Sequence, residues 1–440
     1  MSVPWEQSHA NNQNLTKMRK YFYILCALTL FCNLSCFAQA KYVGGDISLL
    51  PSYVSHGAKY YDINGNAITA PLTYFGEQGM NAMRVRLFVN PENASADDKG
   101  QGVVQDLEYV KNLGKQIKDA GMAFMLDFHY SDSWADPAKQ WTPNAWASLS
   151  DTQLYDKIYE YTKEVLQAMN AAGATPDFIQ TGNEISYGML WGKVNTSSPK
   201  KCYPNNNDNW PRFTTLLKRA VQACREECPS AKVIIHTERV AQPNNLKAFY
   251  QKIKDYDVDY DIIGLSYYSY YHGNLNTLNT ALTQMESTFA DKKIMLVEVG
   301  YYHDWQPSNV SYDLSSTYPI NGEGQKAFTS ALINILKSHA NVNGLFWWWM
   351  EANEYGLDWN TKRVTDGWYN AGLFDNQNGK ALPALYVLKD FIEGTKVNGI
   401  SNAPDMPQHY YTIDGKRLGE NEALSRKGLY ILKGKKLLRK

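Results

Sequence analysis

Apolar, strand-like runs alternate with helix-period segments from residue 43 to about residue 393, and this alternation constrains the fold more than any other feature. Eight runs lie near residues 43–48, 80–88, 122–128, 177–183, 232–237, 261–267, 293–299 and 343–349. Several are apolar on both faces, which is typical of a parallel sheet covered by helices. The pattern predicts an α/β fold, a (β/α)8 TIM barrel. The alternative, an open doubly wound sheet, lacks a glycine-rich phosphate loop.

The ends of the chain differ in composition from the predicted barrel at residues 41–395. Glycine and proline favour a linker at residues 396–407, followed by a short basic tail at 408–440. This tail reads as β-hairpin-like, with a turn at Lys433-Gly434. It resembles the C-terminal sorting or anchoring tails of secreted bacterial proteins, and an edge appendage packed on the barrel is the alternative.

Residues 1–40 predict an N-terminal extension and a signal peptide. A positive start at Met18-Arg19-Lys20 precedes a short apolar run, and small residues precede Lys41. We therefore expect export to the periplasm, the cell surface or the medium. An N-terminal anchor helix is one alternative, and a lipid attached to Cys36 is another. No other segment approaches the length of a membrane span.

The remaining three cysteines, Cys202, Cys224 and Cys228, leave the disulfide pairing open. Cys224 and Cys228 lie four residues apart on a predicted helix, where bridging geometry is poor. Cys202 could pair with either of them in an exported protein. Their spacing is not that of a zinc site. The mildly acidic middle of the chain gives no support for a nucleic-acid partner, and we expect a monomer.

Two glutamates each close a short apolar run, where a core residue would be expected. Glu184 ends the fourth run and Glu298 lies near the end of the seventh. Burying an unpaired carboxylate is costly, so a chain that does it twice is expected to use the two as a pair. On one barrel rim, two carboxylates are the working groups of a glycoside hydrolase.

The strand ends supply further candidates for the same rim. Arg84 and Arg86 share one face of the second strand, and a buried arginine needs an anion. That anion is either a catalytic carboxylate or a partner in a structural ion pair. Side chains suited to a hydroxyl-rich ligand follow the later strands: His129, Asp132, Trp134, Asp136, Asn183, His236, Tyr267, Tyr268, His272 and Trp348.

Three of these candidates have a more specific expected role. Asn183 is expected to hold a sugar hydroxyl while Glu184 protonates the glycosidic oxygen. A tyrosine of the sixth strand is expected to orient a neighbouring carboxylate. Alternation predicts that Trp348 faces away from its two tryptophan neighbours. A loop of about thirty residues then holds Asp358, Trp359, Trp368 and Asn370, and such a long loop is usually functional.

Together these motifs resemble glycoside hydrolase family 53, the endo-β-1,4-galactanases. The resemblance covers residues 42–393 and rests on Gly45-Asp46-Ile47-Ser48, Arg84-Val85-Arg86-Leu87, Leu126 to Pro137, Asn183-Glu184, Gly264 to Tyr268, Val297-Glu298 and Trp368 to Asp375. It implies a (β/α)8 barrel that cleaves galactan internally with retention of configuration. It also implies that Glu184 is the acid/base and Glu298 the nucleophile, and it adds Asp46 and Trp368 to the supporting residues.

The resemblance has limits for metals and substrate. Some relatives carry a calcium loop after the nucleophile strand. Here His303-Asp304-Trp305 and the residues that follow lack alternating oxygen ligands, which argues against a structural calcium. No cofactor is expected for catalysis, and the expected partner is galactan. The alternatives are a barrel hydrolase acting on mannan, xylan or cellulose, and a galactan-binding protein without activity.

Overall fold

The computed structural model describes residues 40–393 except 207, 309, 359, 361 and 362, together with four short strands beyond residue 409. The predicted signal segment with Cys36, the linker at 396–407, the turn at Lys433-Gly434 and Trp359 lie outside the described residues. The chain divides into two compact units, Met1–Ile392 and Glu393–Lys440.

Eight parallel strands close into one barrel in chain order, which confirms the predicted (β/α)8 fold. The strands are β1 Tyr42–Asp46, β2 Ala82–Leu87, β3 Ala123–Phe128, β4 Phe178–Thr181, β5 Lys232–Thr237, β6 Ile262–Tyr268, β7 Lys293–Gly300 and β8 Val342–Trp347. Closure comes from β1, which pairs with both β2 and β8. Each strand lies within its predicted run or extends one residue beyond it.

A helix follows each strand and covers the outside of the barrel. These helices are α1 Pro71–Glu77, α2 Leu107–Asp119, α3 Asp151–Ala171, α4 Trp210–Glu227, α5 Pro243–Asp255, α6 Leu275–Thr288, α7 Gly322–Lys337 and α8 Pro383–Val387. Several of them begin with a capping side chain: Asp106 caps α2, and Ser150 forms a capping box with Gln153 at α3. The α2 face that carries Val110, Leu113 and Ile117 is buried against the strands.

Shorter elements lie in the loops between the barrel strands and helices. Short helices span Leu50–His56, Ala96–Gly100 and Ser269–His272, and 3₁₀ turns span Pro91–Asn93, Asn144–Trp146, Arg239–Ala241, Tyr369–Ala371 and Leu388–Phe391. A two-stranded hairpin joins Tyr60–Tyr61 to Ala67–Ile68. No helix within the described part of the chain combines the length and the apolar character needed to cross a membrane.

The barrel interior is apolar near the start of the strands. Two residues further toward their C-terminal ends, the inward side chains are polar. One cluster of inward residues comprises Ala82, Met125, Phe178, Ile234, Ile262, Met295, Val297 and Phe346. Because strand side chains repeat every two residues, the next inward positions of β2 to β5 are Arg84, Asp127, Gln180 and His236. All four are fully buried. The barrel therefore places a layer of polar groups directly beneath its C-terminal rim.

The C-terminal unit contains its own antiparallel sheet. Its strands are Arg417–Leu418, Tyr410–Tyr411, Gly428–Leu432 and Lys435–Arg439, in that spatial order. The last two pair with each other from Gly428 opposite Arg439 to Leu432 opposite Lys435.

Candidate active site

Arg84 is the centre of the buried polar layer. Its Nη1 donates to Asp46 Oδ2 at 2.9 Å, and its Nη2 contacts Asp127 Oδ2 at 2.7 Å and Glu298 Oε1 at 2.9 Å. The same Nη2 donates to the Asn183 side-chain oxygen at 2.9 Å. Arg84 thus satisfies both alternatives raised by the sequence, because it pairs with structural acids and with a rim glutamate.

Glu298 lies near the end of β7, where two groups stabilise its charged form. Besides Arg84, the Tyr268 hydroxyl donates to Glu298 Oε2 at 2.8 Å, as expected for a tyrosine of the sixth strand. The side chain is 4% exposed. Burial raises the pKa of Glu298 to about 7, while Arg84 and Tyr268 act in the opposite direction. These two contacts favour ionisation of Glu298 over that of its neighbouring acid.

Glu184 follows β4 in a backbone conformation that side chains seldom adopt. Its φ is +47°, and Gly182 just before it has a φ of +107°. A Cβ at Gly182 would lie 2.7 Å from Ile185, so the turn requires glycine. The Glu184 backbone N–H is fixed by donation to His236 Nδ1 at 3.3 Å. This turn aims the Glu184 side chain into the mouth of the barrel.

The pKa of Glu184 lies well above its usual range. Burial is the largest cause, followed by the negative charges of Glu298 and Glu238. No arginine in the described residues pairs with Glu184 as Arg84 pairs with Glu298. The two rim glutamates therefore differ in charge preference, since Glu298 ionises first and Glu184 retains its proton.

Hydrogen bonds beneath the rim hold the supporting residues in place. His129 Nδ1 accepts the Ala135 N–H at 3.0 Å, and its Nε2 lies 3.2 Å from Asp127 Oδ2. The Asn183 amide donates to the Ala135 carbonyl at 2.8 Å. Burial by itself raises the pKa of Asp127, but Arg84 and His129 bring it below its ordinary value. Asp127 is thus an ionised anchor of the layer.

Above this layer lies a cavity of ≈ 410 Å³ that contains both rim glutamates. Its walls combine indole faces with hydrogen-bonding groups. The lining residues include Trp134, Asp136, Lys139, Asn183, Glu184, Glu238, Tyr268, Tyr271, His272, Glu298, Trp348, Trp349 and Trp368. Flat aromatic faces beside polar groups suit a ligand that has both apolar C–H faces and hydroxyls, as a sugar ring has.

The structure separates the predicted site residues into three groups. Those that line the cavity are Glu184, Glu298, Trp134, Asp136, Asn183, Tyr268, His272, Trp348 and Trp368. A second group is buried beneath them and comprises Asp46, Arg84, Arg86, His129 and His236. The remaining two lie outside the lining: Asp132 accepts from Asn93 and the Asn144 N–H, and the Tyr267 hydroxyl donates to the Gly273 carbonyl.

The alternation expected for the three consecutive tryptophans holds between Trp347 and Trp348 but not between Trp348 and Trp349. β8 ends at Trp347, so Trp348 and Trp349 lie in a turn where the two-residue period no longer applies. Trp349 has a φ of +50°, and its ring stacks on Trp348 with centroids 5.5 Å apart. Both therefore line the cavity, while the Trp347 indole donates to the Ala371 carbonyl in the core.

Five residues of the site were not predicted from the sequence. Asp127, Gln180 and Ser266 belong to the buried polar layer, and Glu238 and Trp349 line the cavity. Asp127, like Glu298, interrupts an apolar run, and that signal was available in the sequence. Gln180 was also detectable, because its inward position follows from the period of two after Phe178.

The structure also bears on metal ligands and on the three cysteines. Within the residues that the structure describes, no group of three or more histidine, cysteine, aspartate or glutamate side chains is arranged to hold a metal ion. Cys202, Cys224 and Cys228 are buried free thiols, so the pairing left open by the sequence is not formed.

Comparisons with known proteins agree with this geometry. The family model described as glycosyl hydrolase family 53 matches residues 42–388. An arabinogalactan endo-beta-1,4-galactanase of Cellvibrio japonicus is 32% identical over 79% of this chain and 90% of that protein. The solved GH53 catalytic domain of Ignisphaera aggregans is 31% identical, with a TM-score of 0.69 over 80% of this chain and 96% of that one.

A solved structure of fungal beta-1,4-galactanases is also similar, at 28% identity and a TM-score of 0.64, over 79% of this chain and 98% of that one. The catalytic core of a xylanase A shares only the fold, since its identity is 14%. The family match spans the whole barrel, including both rim glutamates and the Arg84 layer. This chain belongs to glycosyl hydrolase family 53.

Proposed function

We propose that this protein is an exported, endo-acting, retaining hydrolase of β-1,4-galactosidic bonds in galactan, including the type I arabinogalactan of pectin. The observation that carries the proposal is the unequal environment of Glu184 and Glu298 in one cavity. The substrate class is that of the relatives named as endo-beta-1,4-galactanases.

The unequal environments assign a role to each glutamate. Arg84 and Tyr268 keep Glu298 in the ionised form that attacks the anomeric carbon. Glu184, whose pKa lies well above its usual range because of burial and then the charge of Glu298, keeps the proton that the leaving oxygen requires. Asn183 holds a sugar hydroxyl beside the acid.

The reaction then proceeds by double displacement. A Glu298 oxygen forms a bond to the anomeric carbon as the glycosidic bond breaks and the Glu184 proton moves to the leaving oxygen. Water next attacks the same carbon, Glu184 takes its proton, and the ester bond to Glu298 breaks. Two inversions give a product with the original β configuration.

Retention requires the two carboxyls to lie close together, about 5–5.5 Å apart, against ~6.5–9.5 Å for an inverting pair. One hydroxyl, that of Ser266, lies 3.4 Å from Glu298 Oε2 and also lowers the pKa of Glu184 against burial. A shared contact of this kind supports the shorter separation.

The cavity presents both aromatic faces for stacking and polar groups for hydrogen bonding, as binding of galactan requires. Indole rings of Trp134, Trp348 and Trp368 present flat apolar surfaces, and Asp136 and His272 lie among them. We infer that the rings hold pyranose faces and that the polar groups bind hydroxyls. Catalysis in this scheme uses only protein carboxyls and needs no cofactor.

Product analysis on linear galactan tests the activity most directly. We expect release of galacto-oligosaccharides with new reducing ends, and no comparable release from mannan, xylan or cellulose in parallel assays. Addition of a chelator should leave the rate unchanged. Activity on mannan without activity on galactan would overturn the substrate, and galactan binding without new reducing ends would overturn catalysis.

The roles of the glutamates are tested by azide rescue. Glu298→Ala should lose turnover and recover it with azide as an α-galactosyl azide, because azide then occupies the face vacated by the nucleophile. A β-azide product from the same variant would assign the acid/base role to Glu298.

Export is tested at the N-terminus. Residues 1–40 are expected to be absent from the mature protein when a bacterial host secretes the full chain. Mass spectrometry of the product distinguishes cleavage before Lys41 from a lipid on Cys36, and an uncleaved N-terminus would favour an anchor.

A further inference from the structure

Ser266 lies on β6 with its side chain fully buried, directly opposite Glu298 on β7. Leu265 pairs with Leu296 in the regular register, but the next pair is Ser266 with Glu298, so β7 carries one extra residue at this point. Such a bulge re-aims side chains, and bulges are frequent beside active sites. Here it brings Glu298 onto the inward face of the barrel, beside the Ser266 hydroxyl, which is inward because it lies four residues after the inward Ile262 on β6.

His236 occupies one side of this hydroxyl. Three groups lie near its Nδ1: two N–H donors, the Glu184 backbone at 3.3 Å and the Gln180 amide at 2.9 Å, and the Asn183 side-chain oxygen at 3.1 Å, which already accepts from Arg84. Nδ1 is therefore the acceptor, and the ring proton lies on Nε2. Nε2 donates to Ser266 Oγ at 2.8 Å. Burial and then the charge of Arg84 hold the pKa of His236 well below its usual value, so the ring stays neutral.

Because His236 donates to Ser266, the single hydrogen of the serine hydroxyl remains free for another acceptor. Two acceptors are close to it: the hydroxyl donates to Glu298 Oε2 at 3.4 Å, and it lies near enough to the Glu184 carboxyl to lower the pKa of that group against burial. Arg84 contacts Glu298 through Oε1, the other oxygen. One donor thus stands between two carboxyls that carry charge at different stages of the proposed reaction.

We propose that Ser266 is a positioning residue whose hydroxyl turns toward whichever of the two glutamates is ionised. The inference rests on the proposed function. In the resting enzyme the hydroxyl donates to the Glu298 carboxylate. When Glu298 forms its ester with the anomeric carbon and Glu184 gives its proton to the leaving oxygen, the charge moves to Glu184 and the hydroxyl follows it.

Hydrolysis of the ester reverses the movement. Glu184 takes a proton from water, the water oxygen bonds to the anomeric carbon, and the carbon–oxygen bond to Glu298 breaks. The negative charge returns to Glu298, and the Ser266 hydroxyl rotates back. No proton leaves Ser266 at any stage, so the residue stabilises both charge states without itself reacting. Charge-assisted hydrogen bonds are about twice as strong as neutral ones, which favours this rotation.

Other charged and titratable groups surround the pair and set the background for any pH measurement. From the neighbouring strands and loops these are Asp46, Arg84, Asp127, His129, Asp136, His236, Glu238 and Tyr268. All of them remain in a Ser266 variant, so a change in the pH profile of that variant reports the hydroxyl.

The test compares Ser266→Ala with Ser266→Thr, which retains a hydroxyl, and with Ser269→Ala. Ser269 is a matched control because its hydroxyl is buried just beyond β6 and has no hydrogen-bond partner among the described residues. Ser266→Ala should lower kcat/KM on galactan about tenfold to a hundredfold and shift the acid limb to higher pH. Ser266→Thr should recover most of this loss, and Ser269→Ala should behave as the wild type.

An aryl β-galactoside with an activated leaving group isolates the second step, because its departure does not need the acid. Hydrolysis of the glycosyl-enzyme should be about tenfold slower in Ser266→Ala, seen as accumulation of the intermediate in a burst experiment. An unmoved acid limb with normal breakdown of the intermediate would overturn the proposal, as would equal defects in the Ala and Thr variants. Wild-type enzyme that releases no reducing ends from galactan would instead overturn the proposed function.

Discussion

Buried carboxyl groups occur in two regions of the barrel, and they differ in what surrounds them. Around Arg84, the acids Asp46, Asp127 and Glu298 each contact a guanidinium. In the turn after β8, Glu351 accepts from the Leu49 N–H at 2.8 Å and Glu354 from the Tyr53 hydroxyl at 3.2 Å. The first region is organised by a cation, whereas the hydrogen bonds of the second come from uncharged donors.

The consequence is clearest for Asp127 and Glu351, which are equally buried but differ in charge at neutral pH. Burial, and then the charge of Asp46, raise the pKa of Glu351 to about 8, and burial raises that of Glu354 to about 7. Hydrogen bonds and the charges of Arg86 and Arg363 act in the opposite direction. Near Arg84, Asp127 is held below its ordinary pKa despite being equally buried. The comparison teaches that direct contact with a guanidinium keeps the buried Asp127 charged, whereas uncharged hydrogen-bond donors leave the buried Glu351 neutral.

Replacing one acid in each region should have very different effects on turnover. Glu298→Gln removes the nucleophile without changing its shape and should lower kcat by about 10⁴-fold or more. Glu354→Gln, the matched change in the other region, should leave kcat within about threefold of the wild type, because a neutral amide resembles a protonated acid. Steady-state assays on galactan measure both kcat values. Comparable losses of kcat in the two variants would show that the two regions do not differ in function.

Arg84→Lys weakens the cation that defines the first region. Lysine keeps one charge but cannot reproduce the fork that reaches Asp46, Asp127 and Glu298 together. We expect kcat/KM to fall about a hundredfold. Arg84 lowers the pKa of Glu298 against burial, so its loss should move the acid limb of the pH profile to higher pH.

Arg86→Lys is the control for that experiment, since Arg86 lies on the same strand and contacts Asp46 but not Glu298. The acid limb of the pH profile of Arg86→Lys should lie at the same pH as that of the wild type. A shift as large as that of Arg84→Lys would mean that general loss of positive charge, rather than direct contact with Glu298, sets the limb.

Glu351→Gln tests the second region through stability. The folded-state pKa of Glu351 is about 8, above its unfolded value, so its stabilising contribution is complete at low pH and is lost as pH rises toward 8. The amide does not titrate. The free energy of unfolding of the variant, relative to that of the wild type, should therefore rise by about 3 kcal/mol between pH 5 and pH 8. Urea denaturation at both pH values measures the difference, and a constant offset would show that Glu351 is already charged in the folded protein.

The sequence predicted the regular part of this molecule well, for a physical reason. The eight apolar runs of the chain became the eight barrel strands, because buried parallel strands must be apolar over their whole length. Glu184 and Glu298 stood out because they interrupt that rule. Asp127 breaks it in the same way, so the polar layer around Arg84 was partly readable from the sequence.

What escaped prediction depends on local departures from the two-residue period. The inward position of Glu298 results from one extra residue in β7, since a regular period of two after Val297 would point Glu298 outward, and the sequence pattern does not show this residue. Trp348 and Trp349 share the cavity because the strand ends just before them. Glu351 and Glu354 look like ordinary loop acids, since their burial comes from contacts with Leu49 and Tyr53, about 300 residues away.

Two adjacent tyrosines allow the finest test of how Glu298 is kept charged. The Tyr268 hydroxyl donates to Glu298 Oε2 at 2.8 Å, whereas the Tyr267 hydroxyl donates to the Gly273 carbonyl at 2.8 Å, outside the cavity. Tyr268→Phe should lower kcat/KM about tenfold and raise the acid limb by less than about one pH unit, because a single hydrogen bond to a carboxylate is lost. Tyr267→Phe removes an equally buried hydroxyl from the same strand and should leave the limb in place. If both variants move the limb alike, packing of β6 rather than the hydrogen bond controls the ionisation of Glu298. If neither moves it, Arg84 alone is sufficient to hold the charge.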